Sequence, residues 1–191
     1  MQRYILTGAP GAGKTVLLRR LELAGFAVVE EAATDLIALV TAQGVVEHWK
    51  APTFIEDIVA LQRARQQRAD AWPDARVFFD RSPICTWALC EYAGRAPPAS
   101  LVAEVKRIER ESAYERRVFF LELMGFITPT QARRISLADA ERFAAIHADV
   151  YARFGYELIR IPPADVEARF ERVMGAVGAW GGMTTRRAPP A

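Results

Sequence analysis

Gly8, Gly13, Lys14 and Thr15 stand in the stretch GAPGAGKT at the spacing G-x-x-x-x-G-K-[ST]. That spacing suits phosphate binding. Glycines let successive backbone N–H groups turn inward around phosphate oxygens. The loop Gly8, Ala9, Pro10, Gly11, Ala12, Gly13, Lys14, Thr15 and Val16 is therefore expected to cradle a nucleoside triphosphate. A helix starting near Gly13 adds unpaired N–H groups and the positive end of its dipole. Lys14 is placed to reach the β- and γ-phosphates, and the Thr15 hydroxyl to ligate Mg²⁺. Only Lys14, Lys50 and Lys106 are lysines among 25 basic side chains, so composition alone does not account for a lysine in this loop.

The loop leaves the destination of the γ-phosphate open, between water and a second substrate. Asp80 closes the apolar run RVFFD, where an acid contacts the Mg²⁺ shell of phosphate-loop proteins. An enzyme that activates water usually needs a polarising residue beside that aspartate, and here the neighbour is Arg81. An arginine at this strand end suits a transferring phosphoryl group or an anionic acceptor, with a structural salt bridge as the plainer alternative. Glu30 and Glu31 end the second strand, on the edge that faces the ligand crevice of such sheets. A carboxylate there can take the proton of an acceptor hydroxyl, or can simply complement a helix dipole. Alternation does not decide which glutamate points inward. Arg133 and Arg134 follow a Gly/Pro-containing loop and are expected to arrive over the phosphates.

The long insertion between the second and third strands carries His48, Trp49, Phe54, Gln62, Arg63, Arg65, Gln66 and Gln67. In an acceptor pocket Trp49 and Phe54 would stack on a ring, and Gln66 or Gln67 would bond a base or sugar; otherwise the aromatics are core and the Gln/Arg face is solvated. His48 and His147 read as isolated and have no metal-site spacing. Cys85 and Cys90 read as free thiols on or under a helix.

Elements that position these groups follow from periodicity. Strands are expected at 3–7, 26–30, 76–80, 116–121 and 156–161. Helices are expected at 14–24, 32–43, 53–72 (opened by a Thr53/Glu56 capping box), 83–92 (after Ser82 as cap), 99–112, 136–154 (capped by Ser136 with Asp139) and 164–178. The stretch 44–52 reads as loop. Strands alternating with helices, and apolar strand runs, imply one α/β three-layer domain over 1–178 with a mostly parallel sheet of about five strands. Residues 179–191 read as a flexible tail.

A chain of 191 residues with half its side chains hydrophobic can build one well-packed domain. Its net charge of +2 favours neither nucleic acid nor its exclusion, and no basic motif points to it. The amino-terminal apolar run breaks into glycines too early for a signal peptide, and no run is long enough to span a membrane, so the expectation is a cytoplasmic protein. The guanine-reading N-K-x-D is absent from the sequence, which favours ATP.

The loop, the run FAVVEEAATDLI, the strand end VFFDRSP and the closing ARRISLADAERFAAIHADVYARFGYELIRIPPADVEAR resemble one family across residues 2–175. It is the small AAA-type P-loop ATPase/kinase family related to the ribosylnicotinamide kinase domain of NadR. The resemblance implies a nucleoside-kinase-like P-loop fold with strand order 2-3-1-4-5. It singles out Glu31 as the acid after strand two. Asp80-Arg81 looks like the Asp/Glu-Arg-Ser signature of deoxynucleoside kinases, and Arg133 and Arg134 look like the lid. Members often carry an aspartate shortly before the lid arginines, where this chain has Thr130 and Gln131.

The expectation is an ATP- and Mg²⁺-dependent phosphotransferase acting on a small hydroxyl acceptor such as a nucleoside. Lys14, Glu31, Asp80, Arg81, Arg133 and Arg134 are its catalytic set, and Thr15 and Asp80 its metal ligands. An ATP-hydrolysing switch acting through a partner protein is the alternative, and a nucleotide-binding module without catalysis a third. The acceptor and the oligomeric state, including a homodimer, stay open.

Overall fold

Runs such as YILT, VFFD and VFFL place bulky side chains on alternate faces, which only a sheet covered on both sides can bury. The computed structural model describes residues 1–45, 47–125 and 136–178, with Trp49 described for its backbone alone. Its strands are β1 (Gln2–Thr7), β2 (Ala27–Val29), β3 (Arg76–Asp80), β4 (Arg117–Leu121) and β5 (Glu157–Ile161). All strand pairings among the described residues are parallel, in the order β2-β3-β1-β4-β5. The sheet is thus parallel throughout, rather than mostly so.

Seven helices among the described residues connect the strands: α1 (Lys14–Leu23), α2 (Ala32–Ala42), α3 (Phe54–Ala69), α4 (Pro83–Tyr92), α5 (Ala99–Arg110), α6 (Leu137–Arg153) and α7 (Val166–Gly178). Period-two alternation divides the core. Tyr4, Leu6, Phe78, Phe119 and Leu121 face α1 and α7, where they meet Leu17, Leu18, Val173 and Val177. Ile5, Val77, Phe79 and Val118 face the other way, toward Ile84, Leu101, Val105 and Tyr151 of α4, α5 and α6. Tyr4 stacks on Phe78 at 5.3 Å between ring centroids and Phe119 closes the group, fixing the middle of the sheet. Burying each of these rings is worth about 1.5–3 kcal/mol.

Several local expectations are corrected. The capping box of α3 does not form: Thr53 has near-helical angles and its hydroxyl donates to Asp57 instead. Ser82 holds the cap position of α4 but makes no capping bond, because its hydroxyl pairs with Tyr151 at 2.8 Å. The stretch 44–52 contains a short 3₁₀ turn, His48–Lys50. Ser136 does cap α6, accepting the Asp139 N–H at 3.1 Å. Cys85 and Cys90 are free and buried on α4. The tail 179–191 lies outside the described residues, and no described helix is long and apolar enough to cross a membrane.

β1 is central, and its carboxyl end delivers the chain to Gly8 at φ +131°, a conformation that L side chains rarely adopt. A Cβ at Gly8 would collide with the backbone carbonyl oxygen of Leu121 on β4. Gly8→Ala is therefore expected to cost about 3 kcal/mol or more, from overpacking plus backbone strain. Thermal unfolding should show a Tm lower by roughly 6–12 °C.

Candidate active site

The phosphate loop links β1 to α1 and needs three positive φ angles, at Gly8, Gly11 and Gly13 (131°, 87° and 83°). Gly13 is the N-cap of α1 and brings no side chain to the helix start. The Leu17 N–H already bonds the Gly13 carbonyl, so the Lys14, Thr15 and Val16 amides are the donors that the helix start offers. Val16 itself turns its side chain to solvent, while Ala9 and Ala12 are buried under the loop. Lys14 lies folded over the loop, donating to the Gly8 and Ala9 carbonyls at 3.0 and 2.9 Å. Burial, and then the Arg81 charge, pull its pKa down to about 8.

Asp80 reaches the loop from β3, whose register sets it opposite Leu6. The Thr15 hydroxyl lies 3.4 Å from Asp80 Oδ2. Asp80 Oδ1 is buried without a hydrogen-bond partner among the described residues. A buried orphan carboxylate oxygen beside a threonine hydroxyl is a donor set that fits a hard divalent cation holding most of its waters. No group of three or more potential metal-binding side chains occurs among the described residues, so such an ion would rest on these two oxygens, water and phosphate.

The structure decides between the two glutamates. Glu30 points outward to an ion pair with Arg19. Glu31 turns inward, where its Oε1 lies 2.5 Å from Arg81 Nε and its Oε2 accepts the Thr34 hydroxyl at 2.9 Å. Burial pushes the Glu31 carboxyl up, but Arg81, Lys14 and Thr34 outweigh it, and the net shift is downward. Asp80 moves the other way, raised first by burial and then by the Glu31 charge. Two neighbouring carboxyls pushed apart in this way are suited to different tasks.

Arg81 has φ +74°, a left-handed conformation uncommon for a side chain of its size, and its amide is held by the Leu6 carbonyl at 3.0 Å. Strain of this kind, over-determined by its surroundings, gathers at functional sites. The plainer alternative for Arg81 is observed: it is ion-paired, and its partner is Glu31, the candidate base. Arg133 and Arg134, with Thr130 and Gln131, lie outside the described residues.

The acceptor-side expectations are partly overturned. Phe54 is core, packed with Ala32 and Ile58, and His48 sits edge-on against it. Gln66 is buried between Asp70 and Arg107, and Gln67 is exposed, so neither faces the cleft. The Trp49 side chain lies outside the described parts. Instead, a cavity beside Arg81 is lined by Val29, Gln62, Arg65, Phe79, Asp80 and Tyr114. Arg65 is tied to the Glu30 carbonyl and to Asp35, and the Gln62 carbonyl accepts the Thr86 hydroxyl at 3.0 Å.

His147 is not isolated. It is fully buried on α6, with Nδ1 3.0 Å from the Phe143 carbonyl and Nε2 3.4 Å from an Arg81 nitrogen. A carbonyl only accepts, so Nδ1 carries the proton and the bare Nε2 faces the arginine. Four residues on, the Tyr151 hydroxyl holds Ser82 and Cys85, and Cys85 contacts Thr7 at 3.2 Å. The spacing Phe143, His147, Tyr151 is an inward helix face legible in the sequence, although what it faces is not.

The profile of the AAA domain family matches residues 3–169. The chain belongs to that AAA domain family. No curated protein matches it by sequence. Among solved structures it is similar to a deoxyadenosine kinase from M. mycoides with products dCMP and dCDP bound, at 13% identity over 93% of this chain and 100% of that one, with a TM-score of 0.64. It is similar to NadR in complex with NAD and AMP-PNP, at 17% identity over 99% of this chain and a TM-score of 0.67, but spans only 52% of that chain. A thymidylate kinase from Ehrlichia chaffeensis matches at 12% identity over 92% of this chain and 98% of that one, with a TM-score of 0.63. At such identities the likeness establishes the fold: a P-loop fold of the nucleoside-kinase kind.

Burial and the Arg81 charge hold the His147 pKa down to about 3, against an ordinary 6.5. The unfolded chain therefore takes up a proton below pH 6.5 that the folded protein refuses until about pH 3, so stability falls with pH across that window. From pH 6.5 to about pH 5 the loss from this side chain is about 2 kcal/mol, at ~1.4 kcal/mol per pH unit. Denaturant unfolding at the two pH values should show His147→Gln with that much less pH dependence than the wild type.

Proposed function

We propose that the protein is an ATP- and Mg²⁺-dependent phosphotransferase whose acceptor is a small hydroxyl compound of the nucleoside class. The observation that carries this reading is the Glu31–Arg81 pair, half-buried at the carboxyl edge of the sheet beside the phosphate loop. A carboxylate held ionised and oriented beside the phosphate loop is what an acceptor hydroxyl needs. The residue after Asp80 is a cation, where water activation would ask for a polarising group.

In this reading the loop amides and Lys14 hold the triphosphate, with Lys14 exchanging its two loop carbonyls for phosphate oxygens. Thr15 and Asp80 would hold Mg²⁺, which supplies charge neutralisation at the phosphates. The acceptor hydroxyl donates its hydrogen bond to Glu31. As the oxygen bonds to the γ-phosphorus and the bond to the β-phosphate oxygen breaks, the proton passes to Glu31 and ADP leaves. In a loose transition state little charge develops on the attacking oxygen, so a carboxylate with a lowered pKa serves as the proton acceptor. Arg81 lies where it can follow the negative charge from Glu31 onto the transferring group, and Arg133 and Arg134 are proposed to cover it. Likeness of fold to a deoxyadenosine kinase, a thymidylate kinase and NadR supports a nucleoside-like acceptor.

A coupled ADP-release assay against a panel of nucleosides and small alcohols tests the reading. Turnover should depend on one acceptor class, and Glu31→Gln should lower kcat by roughly 10²–10⁴-fold while ATP binding persists. Phosphate release at the same rate with or without any acceptor would sink the proposal in favour of an ATP-hydrolysing switch.

A further inference from the structure

Arg169 lies outside the catalytic set and is only 3% exposed. It sits on α7, one helical turn before Val173 and two before Val177, so an arginine occupies the helix's apolar stripe. Burying a guanidinium is costly unless its donors are satisfied. Here they go to three backbone carbonyls: Nη1 to Ala12 at 2.5 Å, Nη2 to Glu122 at 2.9 Å and Nε to Pro162 at 3.0 Å. Arg169 makes no ion pair with any described residue; Glu122 pairs its carboxylate with Arg160 instead. A buried, permanently charged side chain is thus spent wholly on holding main chain.

The three carbonyls lie in the phosphate loop, just past the end of β4 and just past the end of β5. One side chain thereby fixes the loop against the edge of the sheet. The Ala12 carbonyl has a further consequence. The peptide unit is planar and trans, so the Gly13 N–H points opposite to the Ala12 C=O. Pinning that carbonyl to the guanidinium behind the loop turns the Gly13 N–H toward its concave side. The guanidinium also fills the space behind Gly13, where an added Cβ would lie 3.2 Å from Nη1. Its charge sits one peptide away from the amides that would meet phosphate.

We propose that Arg169 is the positioning residue of the phosphate loop, aiming the Gly13 N–H into the cradle and setting a fixed positive charge behind it. The inference rests on the loop's binding a nucleotide, and not on where the γ-phosphate goes. Arg169→Met and Arg169→Lys are compared with the wild type by calorimetric titration with MgATP and MgADP, without acceptor, on samples shown to be folded by circular dichroism. The amide proton of Gly13 is followed by NMR in the same titrations. In the wild type it should move downfield when nucleotide binds. In Arg169→Met both nucleotides should bind at least tenfold more weakly and the Gly13 displacement should shrink. Arg169→Lys, which keeps the charge and loses the three-way fork, should fall between. A folded Arg169→Met with wild-type affinity and a wild-type Gly13 displacement overturns the proposal. If Arg169→Met does not fold, wild-type affinity and displacement in Arg169→Lys overturn it equally. A wild type that binds neither nucleotide overturns this proposal and the nucleotide reading together, whereas failure of acceptor phosphorylation alone leaves these titrations unaffected.

Discussion

The meeting of four charges at one edge of the sheet, two buried and two half-buried, is the constraint on which the rest depends. Lys14, Glu31 and the adjacent pair Asp80 and Arg81 come from three separate stretches of backbone and meet beside the phosphate loop. Alone, each would be expelled or neutralised. Together they are two cations and two carboxylates, and the attraction between them offsets the loss of hydration only because the backbone fixes their positions. The parallel register that puts Asp80 opposite Leu6, the left-handed turn at Arg81 and the inward set of Glu31 all serve this arrangement. Removing any one of them leaves an uncompensated charge rather than a mere gap.

Neutral side chains on α6 support these four charges. α6 contributes both His147 and Tyr151 from one face. The imidazole stays uncharged beside Arg81, where a third cation would break the balance. The tyrosine hydroxyl ties Ser82 and Cys85 under the strand end, and Cys85 reaches back to Thr7 on β1. The same helix begins at the Ser136 cap, immediately after the stretch containing Arg133 and Arg134. The helix that follows Arg133 and Arg134 in the sequence thus has an interior face that touches the site.

How much of this the sequence discloses depends on the range of the interaction concerned. The phosphate loop is legible because its glycines, lysine and threonine act within eight residues, and the strands because alternation is a local property. The Ser136 cap succeeds for the same reason. The Thr53 box fails because Thr53 adopts near-helical angles, and its hydroxyl then finds Asp57 one turn on. Glu30 and Glu31 cannot be told apart from a strand of three residues, since the chain turns between the strand and α2. Gln66 looks like a polar surface residue until Arg107, far along the chain, is folded against it. His147 and Arg169 acquire meaning only from partners 66 and 157 residues away, at Arg81 and Ala12. An arginine on an apolar helix stripe was the one local sign of the latter.

The central position of β1 divides the molecule in a way that bears on its descent. On one side, β3 and β2 with α3 supply Asp80, Arg81, Glu31 and the cavity walls around Gln62 and Arg65. On the other, β4, β5 and α7 supply the carbonyls and the arginine that brace the phosphate loop. β1 stands between the two flanks, and α6 reaches across it through His147 to Arg81. On the proposed function, substitutions in the β3 and α3 flank can alter the acceptor side while the carbonyls and the arginine that brace the phosphate loop stay in place, which gives such a chain a route to new specificities.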